Sequence, residues 1–283
     1  MYLKIKGKRY KFNPNKNTLY VIIAIILIII LIFSLNSCNK YNTKIRGEKY
    51  ENTLVNLPEY QVRPCVSPDG TPTCDYFSIY PPEDGDKVIY LTFDDGPSTS
   101  VTPQILDILK ENGVKATFFV LGSQAESHPE IISRMAQEGH AIANHSYSHN
   151  MTAIYSSPEA FIEDINKARD VIVNIVGEDN YAGVIRFPGG AFREERAEFK
   201  DALLENDIPY VNWNCLTGDA ETRNPVSADL YNKAIRSARD SGRDSLVLLM
   251  HDAGAKQATA DSLPAIIKHF KEQGYRFDVI KRR

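Results

Sequence analysis

The chain has 283 residues, of which 43% are hydrophobic and 24% are charged, a composition that is ordinary for a globular protein. This length accommodates one sizeable domain with a large core, together with an appendage. Outside residues 1–18 the chain carries 27 basic against 36 acidic residues, a net charge of −9. Such an acidic chain lacks the basic surface that nucleic acids require, so no nucleic-acid partner is expected.

The N-terminal region predicts a membrane anchor. Residues 1–18 contain six basic residues and no acid, and residues 19–35 form an apolar run of 17 residues. This run is at the short end of what spans a bilayer, and the basic flank is expected to keep the N-terminus in the cytoplasm. We therefore predict a basic cytoplasmic tail at 1–18, a single transmembrane helix at 19–35 in the cell membrane, and an extracellular remainder. The alternative is a lipoprotein, because residues 35–38 (LNSC) are similar to a processing box that leaves a lipid on Cys38.

The next segment, residues 36–85, is polar at first and then rich in Pro, Asp and Gly. It is predicted to be an extracellular linker and an irregular lead-in to the main domain, residues 86–283. Cys65 and Cys74 bracket a turn-rich loop in this segment, and export permits a disulfide between them. Cys215 lies in an apolar segment and is predicted to be a buried thiol.

From about residue 87, short apolar runs alternate with longer amphipathic stretches. The runs predicted as strands are 87–93, 116–122, 141–144, 184–187, 210–213, 245–250 and 276–280. The stretches predicted as helices are 101–112, 129–138, 157–176, 194–206, 227–241 and 260–273. Such alternation predicts a parallel sheet, and seven strands are too few for a regular eight-fold barrel. The predicted fold is therefore α/β, a distorted, reduced (β/α) barrel of about seven parallel strands preceded by the transmembrane helix.

The most informative residues follow the first of these strands, where Asp94 and Asp95 stand before a Gly-Pro turn. Buried carboxylates are costly unless a partner compensates their charge. A metal ion is one such partner, and an acid beside a metal ligand can stay ionised and act as a general base. For this motif in isolation, a simple Asp-Asp turn remains the alternative.

Polar residues also end the later strands, and the carboxyl ends of parallel strands share one rim of an α/β fold. His145 and His149 follow the third strand, at a spacing that places both rings on one face of a helical turn. With Asp95 they form a three-ligand set with an open position, which is the pattern of a catalytic zinc site. Two unrelated surface histidines are the alternative.

Three further positions on this rim carry candidate chemistry. His251 ends the sixth strand, and Asp219 is the carboxylate that we expect to raise its pKa and keep it protonated as a general acid. Arg186 is a candidate to brace a carboxylate, and Gly189 leaves a backbone N–H accessible to an oxyanion. The alternatives are a buried structural histidine and an exposed arginine before a turn.

In this order, the motifs TFDDGP at 92–97, HSYSH at 145–149 and Arg-x-Pro at 186–188 resemble the polysaccharide deacetylase family (carbohydrate esterase family four). The resemblance covers about residues 86–280 and implies a polysaccharide deacetylase catalytic domain. It implies that the first acid, Asp94, is the catalytic base and that Arg186 supports it. It also implies that Asp95, His145 and His149 bind the metal.

The resemblance extends to two further motifs. A tryptophan followed by an aspartate matches Trp213 and Asp219, and a leucine and a histidine match Leu249 and His251. These matches imply that Leu249 lines a pocket for the acetyl methyl group and that His251 is the acid. Two positions depart from the family: Gly189 stands where tyrosine is frequent, and alanine follows Asp219 where tryptophan is usual. The second change removes one aromatic wall of the sugar groove.

The resemblance and the predicted anchor together indicate metal-dependent hydrolysis of N-acetyl groups from N-acetylglucosamine in cell-wall peptidoglycan. Zinc is the expected metal, with cobalt, manganese or nickel as alternatives for an Asp/His/His set. N-acetylmuramic acid or another acetylated exopolysaccharide is the alternative substrate, and a non-catalytic wall-binding module is the alternative class. A glycosidase is not expected, because adjacent acids do not straddle a glycosidic bond. The expected partners are the acetylated glycan and, through residues 19–35, the lipid bilayer.

Overall fold

The computed structural model describes residues 2–5, 8–11, 87–221 and 224–280, and the chain divides into the units Met1–Asn52 and Thr53–Arg283. In the first unit, strands β1 (Tyr2–Ile5) and β2 (Lys8–Lys11) pair antiparallel, a hairpin that was not predicted within the basic tail. The predicted transmembrane helix at 19–35, Cys38, the linker at 36–85 and the Cys65–Cys74 disulfide lie outside the described residues. Among the residues that are described, no helix combines the length and apolarity needed to cross a membrane.

The second unit is built on a sheet of seven strands whose pairs are all parallel, which confirms the predicted α/β class. The strand order is β6-β5-β4-β3-β8-β7, and β9 pairs with the first half of β3 while β4 pairs with its second half. The strands are β3 (Val88–Asp94), β4 (Thr117–Val120), β5 (Ala141–Asn144), β6 (Tyr181–Ile185), β7 (Cys215–Leu216), β8 (Ser245–His251) and β9 (Arg276–Asp278).

The segment from Tyr210 to Leu216 joins the two edges of this sheet. Tyr210 forms a bridge to Ile185 of β6, and five residues later the chain pairs with β8 as the short strand β7. Within the predicted strand at 210–213, Tyr210 forms an isolated bridge and residues 211–213 are irregular, so the prediction of a strand there is wrong. The side-chain amide of Asn214 donates to the carbonyl of Ser245 and accepts from a backbone N–H of β8, so a side chain replaces part of the backbone ladder. Contact with both edges gives the sheet the character of a distorted barrel.

Eight α-helices are present in the described part of this unit. They are α1 (Thr102–Glu111), α2 (Gly122–Ser127), α3 (Pro129–Gln137), α4 (Met151–Ile154), α5 (Pro158–Val176), α6 (Ala197–Glu205), α7 (Ser227–Ser241) and α8 (Gln257–Glu272). The Ser157 hydroxyl caps α5 by accepting from the N–H of Ala160, and Gly242 ends α7 in the left-handed conformation. Helices α2 and α4 were not predicted, because four to six residues are too few to show a helical period.

Alternation along β3 sends its side chains to two different cores. Ile89, Leu91 and Phe93 pack with apolar residues of the surrounding helices. Val88 and Tyr90 belong instead to a second cluster that contains strand and loop residues and no residue of a described helix. Asp94 continues the second face and is therefore directed toward the interior of the curved sheet.

Candidate active site

The two adjacent acids have different surroundings because the backbone changes direction between them. Asp94 is the last residue of β3 and is buried, whereas Asp95 leaves the strand with a φ of 75° and is half-buried. This left-handed conformation is uncommon for a residue other than glycine and is often found at functional sites. The turn separates the environments of two carboxylates that are neighbours in sequence.

Arg186 follows β6 and holds Asp94. Its side chain is fully buried, and its Nη1 donates to Asp94 Oδ1 and to Thr92 Oγ1, each at 2.8 Å. The guanidinium lies 4.0 Å from the centre of the Phe119 ring. Burial raises the pKa of Asp94, and the charge and hydrogen bond of Arg186 offset part of that rise. The predicted bracing of a carboxylate by Arg186 is present in the structure.

Asp95, His145 and His149 converge as the sequence predicted, although by a different local geometry. Asp95 Oδ1 lies 3.5 Å from Nε2 of each histidine, and the three potential ligand atoms all lie within 4.8 Å of one another. The residues between the histidines form a loop and not the expected helical turn, since Ser146 and His149 both have positive φ. The Ser146 hydroxyl stabilises this loop by accepting from the N–H of His149 at 3.0 Å.

The protonation of His145 suits a metal ligand. Its Nδ1 lies 2.9 Å from the backbone carbonyl of Arg186, and a carbonyl can only accept, so Nδ1 carries the proton and Nε2 has a free lone pair. Burial lowers the pKa of His145 to about 3, which keeps the ring neutral. Nε2 is the atom that faces Asp95.

The dimensions of the group also fit a metal. Asp95 Oδ1 is buried and has no hydrogen-bond partner in the described part of the chain. Ligand atoms about 2.0–2.1 Å from a tetrahedral ion are about 3.3–3.4 Å apart, close to the 3.5 Å found from Asp95 to each histidine. Three donors leave a fourth position for water or substrate, as in catalytic sites.

The predicted pair of His251 and Asp219 is formed. His251 Nδ1 lies 2.8 Å from Asp219 Oδ1, and the backbone N–H of His251 donates to the other carboxylate oxygen at 2.8 Å. Burial alone would lower the pKa of His251, but the hydrogen bond and charge of Asp219 outweigh it and raise the pKa to about 8. Thr259 and Lys256, which the sequence analysis did not single out, hold Asp219 through its carboxylate and its backbone carbonyl respectively.

Strand register places His251 beside Asp94. The two residues are direct partners in the parallel pairing of β8 with β3, so the candidate acid and the candidate base end neighbouring strands. The carboxyl ends of β5 and β6 supply His145 and Arg186 on the same rim. The candidate residues therefore lie at the carboxyl ends of the strands, where the sequence predicted them.

The buried carboxylate of Asp252 supports the loop that carries Asp95, a role that was not predicted. The backbone N–H of Asp252 donates to the carbonyl of Asp94 at 3.1 Å, and Oδ2 of the Asp252 side chain accepts from the hydroxyl of Thr102 at 2.6 Å. A Cβ at Gly96 would lie 2.2 Å from this oxygen, so only glycine fits there. Burial raises the pKa of Asp252 to about 7. Its place directly after His251 was the only sequence signal.

The residues predicted to bind substrate lie at the same end of the sheet. Leu249 is on β8 and 8% exposed, and Gly189 is exposed in the turn after Arg186. Trp213 is half-buried, and a Cβ at Gly190 would lie 2.8 Å from its ring. Phe192, which was not predicted, packs edge-on against Trp213 with ring centres 5.0 Å apart and remains 48% exposed.

The raised pKa of His251 predicts the alkaline limb of the pH profile. A general acid must be protonated, so kcat/KM should fall as the pH rises through about 8. The pair of His251 and Asp219 also stabilises the folded protein. This stabilisation is fully present below the ordinary histidine pKa of about 6.5, and it is lost as the pH rises through about 8. Asp219→Asn should move the limb of kcat/KM to lower pH, whereas Asp261→Asn on the exposed surface should not. An alkaline limb that is unchanged by Asp219→Asn would contradict the assignment.

A family model described as polysaccharide deacetylase matches residues 82–205. A Bacillus subtilis protein, YheN, whose name places it among the polysaccharide deacetylases, is 36% identical over 199 residues, which are 70% of this chain and 68% of YheN. The peptidoglycan-N-acetylglucosamine deacetylase PgdA of Listeria monocytogenes is 37% identical over 69% of this chain, but the match spans only 38% of PgdA. The chain belongs to the polysaccharide deacetylase family, as the sequence motifs predicted.

Solved structures show the same relationship. A CE4 esterase of Streptococcus mutans aligns with a TM-score of 0.65 and 32% identity, over 70% of this chain and 87% of that one. The catalytic domain of a peptidoglycan N-acetylglucosamine deacetylase from Eubacterium rectale aligns with a TM-score of 0.63 and 31% identity, over 70% and 90% of the two chains. Each of these solved structures therefore shares the α/β fold of this chain over 70% of its residues.

Proposed function

We propose that this protein hydrolyses the N-acetyl group of N-acetylglucosamine in peptidoglycan, releasing acetate and leaving glucosamine in the glycan. The observation that carries the proposal is the convergence of Asp95, His145 and His149 beside a braced carboxylate, Asp94, and a protonated histidine, His251. Relatives in Listeria monocytogenes and Bacillus cereus are named peptidoglycan-N-acetylglucosamine deacetylases. Their names supply the sugar and the polymer.

The chain's own groups account for the proton transfers. Arg186 holds Asp94 Oδ1 and leaves Oδ2 available to accept a proton from the attacking water. The N–H of Gly189 donates to the oxygen of the tetrahedral intermediate. His251 then gives its proton to the departing amine, which breaks the C–N bond and yields acetate.

We propose a divalent metal, zinc in the first place, as the cofactor of this reaction. Asp95, His145 and His149 would hold it, and it would supply a Lewis acid for the amide carbonyl and for water. Two imidazoles and one carboxylate suit zinc, and also accept cobalt, manganese or nickel.

The test is acetate release by the purified full chain from insoluble peptidoglycan, with and without a chelator and after metal is restored. Release that the chelator abolishes and the metal restores supports the proposal. Absence of chelator-sensitive release from peptidoglycan, chitin oligomers and other acetylated glycans would favour the wall-binding module. Binding alone needs no general base or acid, and the complete set of both argues for the enzyme.

N-acetylmuramic acid is the second candidate for the acetylated sugar. A Bacillus subtilis protein named peptidoglycan-N-acetylmuramic acid deacetylase PdaC is 32% identical over 244 residues, 86% of this chain, and the match spans 44% of PdaC. Tandem mass spectrometry of muropeptides after muramidase digestion separates the two sugars. Removal of either acetyl group gives the same intact mass, so the fragments that contain one ring only show which sugar has lost its acetyl group.

Phe192 is expected to contact the glycan. It is exposed beside Trp213 on the substrate end of the sheet, where an aromatic face can pack against a sugar ring. Phe192→Ala should raise KM about three- to tenfold with little change in kcat, as the loss of about 0.7–1.4 kcal/mol of binding implies. Phe192→Tyr keeps the ring and should behave as the wild type. Steady-state kinetics on soluble glycan chains measures both, and equal KM values for all three proteins would contradict the contact.

We also propose that residues 19–35 anchor the protein in the cell membrane, with the N-terminus in the cytoplasm and the catalytic domain outside. The support is the apolar run and its basic flank. An anchored domain would act on polymer close to the membrane surface. Protease protection of intact cells, compared with permeabilised cells, tests this orientation.

A further inference from the structure

The residues after Arg186 form a tight turn, and a turn of this kind is compatible with either of two orientations of its central peptide plane. The N–H of Gly190 donates to the carbonyl of Phe187 at 2.8 Å, Pro188 occupies the second position, and Gly189 has a φ of 75°. These features define a type II turn. Types I and II differ by a rotation of about 180° of the central peptide, here the bond between Pro188 and Gly189.

The hydroxyl of Tyr155 holds that peptide. Tyr155 follows α4, and its Oη donates to the carbonyl of Pro188 at 2.8 Å. The guanidinium of Arg196 lies 3.3 Å from the centre of the Tyr155 ring, and the rings of Phe161 and Phe199 pack against it with centres 5.5 and 5.0 Å away. Burial raises the pKa of Tyr155, so the hydroxyl keeps its proton. The donor is therefore fixed in position and always able to donate.

A hydrogen bond to this carbonyl also determines the direction of the next N–H. The peptide is trans, so the C=O of Pro188 and the N–H of Gly189 point in opposite directions. Pro188 is buried and Gly189 is exposed, which agrees with a carbonyl directed inward and an N–H directed outward. Within the described part of the chain, the N–H of Gly189 donates to no other group.

We propose that Tyr155 is a positioning residue for the deacetylation: its hydroxyl locks the Pro188–Gly189 peptide in the type II orientation and so aims the Gly189 N–H at the oxyanion. This inference rests on the proposed function. Its physical basis is that an oxyanion donor is effective only when it is oriented before the reaction begins. The glycine that replaces the family's frequent tyrosine makes the lock more necessary, because glycine adopts positive and negative φ with similar ease.

Tyr155→Phe tests the lock, because it removes the hydroxyl and retains the ring that Arg196, Phe161 and Phe199 contact. Losing one oxyanion donor costs on the order of 10²–10³ in kcat, and partial loss of its orientation should cost about tenfold. We expect kcat for acetate release from soluble peptidoglycan chains to fall about tenfold, with KM within about twofold of the wild type. Tyr231→Phe is the matched control. It also removes a tyrosine hydroxyl, one that contacts His269, and should leave kcat unchanged.

A second measurement does not depend on activity. In protein labelled with ¹⁵N-glycine, Tyr155→Phe should shift the amide signals of Gly189 and Gly190, and Tyr231→Phe should not. If the wild type releases no acetate, the proposed function fails, and these signals still decide whether Tyr155 fixes the turn. Unchanged glycine signals would overturn the lock, whether or not activity falls. Shifted signals with an undiminished kcat would overturn its role in catalysis.

Discussion

Asp94→Asn should lower kcat by a factor of about 10² or more while metal affinity stays within about twofold of the wild type. Asparagine keeps an oxygen for Arg186 but cannot accept a proton from water. Arg186 binds Asp94 Oδ1 at 2.8 Å, and Asp94 Oδ2 lies 3.8 Å from Nε2 of His145. Asp95 Oδ1 is the carboxylate oxygen that lies 3.5 Å from both histidines, so the metal is expected to depend on Asp95 and not on Asp94. Kinetics at saturating metal and calorimetric titration of metal into metal-free protein measure the two quantities.

The neighbouring substitution provides the contrast. Asp95→Asn replaces a charged ligand with a neutral amide and should weaken metal binding itself, with part of the activity recovered at high metal concentration. Asp107→Asn, which changes an exposed carboxylate paired with Arg134, is the control and should alter neither quantity. Equal losses of metal affinity in the Asp94 and Asp95 variants would refute the division of roles between these neighbours.

Arg186→Met should lower the free energy of unfolding by about 3–5 kcal/mol, because it leaves the buried carboxylate of Asp94 without its cation. Methionine fills much of the apolar volume, so the loss reports the charge more than the packing. Chemical denaturation at constant pH measures the effect.

Two further variants test whether the loss of stability comes from the uncompensated charge of Asp94. Arg239→Met removes a surface arginine whose side chain is 74% exposed and pairs with Asp240, and it should change stability by no more than about 0.5 kcal/mol. Adding Asp94→Asn to Arg186→Met removes the uncompensated charge and should recover part of the lost stability. Wild-type stability in Arg186→Met, or no recovery in the double variant, would show that the pair does not carry this energy.

The sequence predicted those parts of the site that depend on local pattern. Continuous apolar runs predicted β3 and β8, and the polar residues that end them, Asp94 and His251, are where they were expected. Cys215 is a buried free thiol, as predicted from its apolar surroundings. In each case a buried strand and its end are recognisable from neighbouring residues alone.

The parts that were missed depend on partners distant in sequence. The support of Asp219 by Thr259 joins residues 40 positions apart, and no periodicity marks such a contact. The segment at 210–213 contains aromatic and apolar residues typical of a strand, but a side-chain amide at Asn214 takes the place of ladder hydrogen bonds. The loop from His145 to His149 brings two rings together through positive φ angles, which a spacing of four residues cannot distinguish from a helical turn.

Arg186 contributes to both halves of the site through different atoms. Its side chain holds the carboxylate of Asp94, and its backbone carbonyl accepts from Nδ1 of His145. A displacement of the main chain at this one position would therefore disturb a ligand and the base simultaneously, whereas a change of side chain would disturb the base alone. The position of the main chain at the end of β6 therefore sets the alignment of the metal ligand and of the base together.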